Sequence, residues 1–176
     1  MFSKRFKQIF LGFCIAIPFL VYCVYYYSIM IGNAPYRFSE FQSFSIQYGT
    51  GDSLLNKYNS KTGDYQYLDN RDSLIKKHLR LNSDQLLYLH RKAAYWGFWN
   101  FPAVEINDSA KAKGIKAPHY IIQFNYLHKS KKVLFDAAFD GDIKLRDANQ
   151  GMIAEIEKVL NEAESAQEQV QLNQKK

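Results

Sequence analysis

An uninterrupted apolar run near the N-terminus constrains this chain more than any other feature. Bounded by Ile9 and Ile31, it reads IFLGFCIAIPFLVYCVYYYSIMI, 23 residues without a charge. As a helix rising about 1.5 Å per residue it would span roughly 35 Å, against about 30 Å of bilayer hydrocarbon. Unpaired backbone groups are costly in lipid, so the run is expected to form one transmembrane helix, with Pro18 kinking it at most. Tyr25, Tyr26 and Tyr27, preceded by Tyr22, gather toward its far end, where rings sit in lipid and hydroxyls reach the headgroups. A cleaved signal peptide would have a shorter apolar core of about 7–15 residues ending in small residues. Here Pro35 directly follows the faint small-residue pattern of Gly32 and Ala34, so an uncleaved signal anchor is expected.

Charge sets the expected orientation. Lys4, Arg5 and Lys7 precede the run, whereas the first charged residues beyond it, Arg37 and Glu40, offset each other. The basic flank belongs in the cytoplasm, which places the rest of the chain outside it, in a periplasm or the extracellular space. Removing those three from the 23 basic residues leaves 20 against 17 acidic ones. An excess this small gives no reason to expect nucleic acid as a partner. Both cysteines, Cys14 and Cys23, lie inside the run, so the exported part must be stabilised by packing alone.

Five segments follow: a cytoplasmic basic N-terminus (1–8), the transmembrane helix (9–31), a juxtamembrane linker (32–40), one domain (41–166) and a polar C-terminal tail (167–176). Within the domain, Phe44, Ile46 and Tyr48 alternate with polar residues as in a half-buried strand, closed by a turn at Gly49-Thr50-Gly51-Asp52. Short extended stretches are expected around Leu54–Tyr58, Tyr65–Leu68 and Ser73–Leu81. Asn82 with Gln85 three residues on makes a capping box, and Leu86, Leu89, Ala93 and Trp96 then share one face, predicting a helix over 83–96. Tyr120, Ile122, Phe124 and Tyr126 line one strand, and Val133, Phe135, Ala137 and Phe139 line its hairpin partner across a turn at His128–Lys131. Asp147 with Gln150 offers a second capping box before the apolar stripe Met152, Ile153, Ile156, Val159, Leu160 and Ala163. The expected fold class is α+β: an N-terminal transmembrane helix, then an antiparallel sheet with two amphipathic helices packed on it.

Catalytic signatures are sparse. The sequence has no G-x-S-x-G, no P-loop and no cysteine in the domain, so nothing in it requires an enzyme. His78, His90, His119 and His128 occur singly, without spacing for a metal site, and no cofactor is expected. An acid–base site would have to come from Asp136, Asp140, His119 or His128, since Glu105 and Asp108 have no better support. Asp140-Gly141-Asp142 reads first as a turn, and Lys111, Lys113 and Lys116, like Lys129, Lys131 and Lys132, read first as solvated loops.

The most suggestive surface lies on the 83–96 helix away from its core stripe. There Tyr88 and Tyr95 fall on one line with Arg91 beside them, and Trp99 follows. Tyr, Trp and Arg are enriched where interfaces concentrate binding energy. Besides membrane lipid around the anchor, the expected partner is therefore an envelope protein or component of unknown identity, bound by a non-enzymatic domain. The alternatives are a small envelope enzyme and an accessory subunit of a membrane complex, the latter touching its partners around Gly12, Cys14 and Ala16.

Overall fold

The computed structural model describes residues 4–32, 36–50, 53–107 and 117–174 of the 176. Gly51-Asp52 of the first turn, Asp108 and the Lys111/Lys113/Lys116 loop lie outside the described residues. Contacts divide the chain into two units, residues 1–36 and 37–176.

The first unit is a single helix, α1 (Lys4–Gly32), which contains the whole apolar run and Pro18. Over Phe10–Tyr27 it is long and apolar enough to cross a membrane, and none of that stretch is buried within the protein.

Among the described residues of the second unit seven strands form one sheet: β1 (Phe41–Thr50), β2 (Asn56–Asn59), β3 (Asp64–Leu68), β4 (Leu74–His78), β5 (Val104–Glu105), β6 (Pro118–Tyr126) and β7 (Ser130–Asp136). Two further helices are α2 (Ser83–Tyr95) and α3 (Ile143–Gln174). Strand order is β4-β3-β2-β1-β6-β7-β5. All neighbours are antiparallel except β5, which runs parallel to β7, so the sheet is mixed rather than wholly antiparallel. The reason is topological. The chain leaves β5 at the edge, crosses to the centre as β6 beside β1, and returns through the hairpin as β7 into the gap.

Register explains the core. Phe44, Ile46 and Tyr48 stand opposite Phe124, Ile122 and Tyr120, and Tyr58, Tyr65, Val133 and Phe135 extend the same face on either side. Nearly all are buried, whereas the opposite face carries Ser45, Gln47, Gln123 and Lys132. One face covered and one wet is the usual arrangement for antiparallel hairpins. α3 covers the apolar face from edge to edge: Asn149 meets Glu105 of β5, while Glu164 takes a hydrogen bond from Tyr67 of β3 and an ion pair from Lys77 of β4. The stripe Met152, Ile153, Ile156, Val159, Leu160 and Ala163 is buried throughout.

Three boundaries around β7 and α3 differ from expectation. α3 begins at Ile143, four residues before Asp147; Asp142 caps it, its Oδ1 accepting from the backbone N–H of Lys144 at 2.7 Å and Leu145 at 3.3 Å. The expected turn at Asp140-Gly141-Asp142 is displaced too. β7 stops at Asp136, whose carbonyl and carboxylate accept from Phe139 and Ala138, before Ala137 and Phe139 can extend the strand. At the other end of α3, the residues read as a polar tail continue the helix to Gln174, exposed from Ser165 onward.

Candidate functional site

α2 starts and stops where its chemistry requires. Asn82 Oδ1 accepts from Gln85 N, and Gln85 Oε1 accepts from Asn82 N, each at 2.9 Å, satisfying two otherwise unpaired donors. Gly97, at φ 73°, supplies the left-handed residue after the last turn. Leu89 and Ala93 are buried against the core, which turns the next face toward α3 and the far face to solvent.

That rotation divides the expected surface. Tyr88 lies in the seam with α3, its hydroxyl donating to Glu155 Oε2 at 2.7 Å, while Lys92 Nζ donates to Glu155 Oε1 at 2.5 Å. Lys92 lowers the Glu155 carboxyl below its usual range and Tyr88 adds to this; Glu155 raises the Lys92 ammonium in return. Lys92 Nζ also stands 5.3 Å from the Tyr88 ring centre and 5.8 Å from that of Tyr95. Tyr95 is 75% exposed and meets Trp96 edge to face at 5.1 Å. Arg91 is exposed beside it. Trp99 turns the other way, packing edge-on against Phe124 at 5.3 Å and Tyr126 at 5.7 Å. Tyr95 and Arg91 are thus the outward part of the group, with Lys92 and Trp96 holding the Tyr95 ring from behind.

The acid–base candidates separate along the hairpin. His119 and Asp136 are register partners at the end of β6 and β7, with Nδ1 to Oδ2 at 3.9 Å. Asp136 is buried and its other carboxylate oxygen takes the Ala138 N–H. Asp140 is exposed beyond the strand, and His128 is exposed at the opposite end of the hairpin. Open grooves of about 290–380 Å³ run beside α3, lined by His78, Arg80, Gln85, Tyr88 and Glu162 among others, and none of the four candidates lines them. Among the described residues no three His, Cys, Asp or Glu side chains converge as a metal site would need.

Two polar centres emerge that sequence reading did not single out. His90 Nδ1 lies 2.7 Å from the Tyr126 hydroxyl inside a ring of aromatics, 5.6 Å from Phe38 and 5.6 Å from Trp99. Burial, helped by Arg91, holds its imidazole below the usual range and so favours the neutral form. The other centre is Glu105, 2% exposed, which accepts a hydrogen bond from the fully buried Asn149. Its only trace in the sequence is its position between Val104 and Ile106.

The geometry defines an α+β domain that follows an apolar helix and presents Tyr95 and Arg91 on the outer face of α2. Compared with known families, curated proteins and solved structures, the chain shows no significant match to any of them.

Proposed function

We propose that this chain is a single-pass membrane protein, N-terminus in the cytoplasm, whose extracytoplasmic domain binds an envelope protein or component through the outer face of α2 centred on Tyr95 and Arg91. The observation that carries the binding face is Tyr95. It is exposed, yet its ring is in contact with Trp96 and within cation–π range of Lys92, which is itself paired with Glu155. An exposed tyrosine beside an arginine is the kind of pair that concentrates binding energy at interfaces.

Two features support the membrane setting. α1 is apolar on all sides, and the basic residues Lys4, Arg5 and Lys7 flank its start. Four residues, 33–36, separate Gly32 from the start of the domain unit at residue 37. With α1 in lipid, a tether this short keeps the domain near the membrane, raises its local concentration over a target there and allows a modest interface to suffice.

Crosslinking in intact cells followed by affinity purification in mild detergent tests this. Tyr95→Ala with Arg91→Ala should reduce the captured partner at least tenfold while the protein stays in the membrane fraction. Equal capture by the variant and the unaltered chain would overturn the assignment of the face. Loss of capture only after α1 is exchanged for an unrelated anchor would instead place the contact around Gly12, Cys14 and Ala16.

A further inference from the structure

We propose that Glu105 and Asn149 form a proton-controlled latch: the neutral carboxylic acid ties the edge strand β5 to helix α3, and loss of its proton releases β5.

β5 is two residues long and stands at the edge of the sheet, and among the described residues it pairs with β7 alone, Val104 with Leu134 and Glu105 with Phe135. Alternation turns Val104 outward, 56% exposed, and Glu105 inward beneath α3, 2% exposed. From α3, Asn149 Nδ2 donates to Glu105 Oε2 and, at 3.1 Å, to the carbonyl of Leu145. Both neighbours of Nδ2 are acceptors, which fixes the orientation of the amide and uses both of its hydrogens. What remains is one bare acceptor on each side: Glu105 Oε1 and Asn149 Oδ1 are both buried and neither has a donor among the described residues.

A proton on Oε1 corrects both at once. It would donate to Asn149 Oδ1 and, with the existing N–H to Oε2 bond, close a two-bond acid–amide ring. As a carboxylate, Glu105 would leave its Oε1 and the Asn149 Oδ1 unpaired and place a charge where water does not reach. The surroundings do not remove the need for that proton. Lys131 of β7 is the charged side chain acting on Glu105, but its Nζ donates to the Phe101 carbonyl and burial disfavours its own charge. Asn149 is the facing group from α3 and is neutral. Asp136 of β7 belongs to the opposite sheet face, where it meets His119 and Ala138. Burial accordingly raises the Glu105 carboxyl to about 7, against the pull of Asn149 and Lys131.

The sign follows from linkage. An unfolded Glu loses its proton near pH 4.3, at about the ordinary value. From there up to about 7 the folded latch holds a proton that the unfolded chain has lost, so stability falls as pH rises through this window and is level above it. Letting go of two paired residues at an edge relieves the charge more cheaply than unfolding the sheet, so β5 opens first.

Hydrogen exchange of the full chain in detergent micelles, corrected for intrinsic rates, tests the latch at pH 5.5 and 8.5. Residues 103–107 should exchange at least tenfold faster at the higher pH while α2 does not change. In Glu105→Gln the amide N–H replaces the acid O–H, so the same residues should stay protected at both values. Equal protection of the unaltered chain at the two pH values, or a pH response in Glu105→Gln like that of the unaltered chain, would overturn the proposal. Should Glu105→Gln not fold, carbon-13 NMR of labelled glutamate carboxyls decides. Burial also raises Glu157, so it is removed by Glu157→Gln. One remaining carboxyl should titrate well above the others, and a spectrum in which all titrate below about pH 5.5 would reject the latch.

Discussion

Helix α1 and the domain after it use the same apolar side chains in opposite ways. Phe10, Phe13 and Phe19 of α1 are 58–64% exposed, whereas Phe44, Phe98 and Phe124 of the domain are fully buried. Hydrophobicity alone does not distinguish them; its arrangement does. Over residues 9–31 α1 carries no charge on any side, while α2 and α3 each bury one apolar stripe. The domain carries its own core. α1 is long and apolar enough to cross a membrane, which is the setting proposed for it.

The sharpest way to break that comparison is to cut matched side chains in the two regions. Phe124→Ala removes a ring packed against Phe44, Phe98 and Trp99 and should destabilise the domain by about 3–5 kcal/mol. Phe19→Ala in α1 should leave the thermal transition of the domain in place, and equal shifts from both would mean that α1 is part of the folded core. Next in size is Gly151→Ala. A methyl group there would run into the Trp96 ring, and forcing the indole aside should cost about 1–3 kcal/mol in denaturant unfolding. An unchanged midpoint would show that Trp96 does not press on α3. Smaller still, Asn82→Ala removes the α2 cap and should lower stability by about 1 kcal/mol, with added exchange confined to the first turn of α2. Loosening along the whole of α2 would show that its stripe packs less firmly than its burial indicates.

Much of the fold was legible because local chemistry and tertiary structure agree. The Asn82/Gln85 box forms as read, the 83–96 pattern yields α2, and the alternation in β1, β6 and β7 gives the buried face. β5 was not legible, since two residues are too few to show a period and its neighbour β7 comes 25 residues later. The α3 boundary was misplaced because two aspartates compete as caps, and Asp142 prevails where the chain leaves the β7 turn.

The site was legible only in part. Helical geometry places Tyr88 and Tyr95 on one line, but it cannot show that Glu155, 67 residues further on, takes the Tyr88 hydroxyl, or that Phe124 and Tyr126 draw Trp99 inward. Glu105 looks like any surface carboxylate until the sheet and α3 close over it.

Alkaline carbonate extraction of membranes carrying the full-length protein tests the central claim most directly. A lipid-embedded α1 predicts that the chain stays in the pellet, as an integral protein does. Release of full-length, folded protein into the supernatant would contradict it.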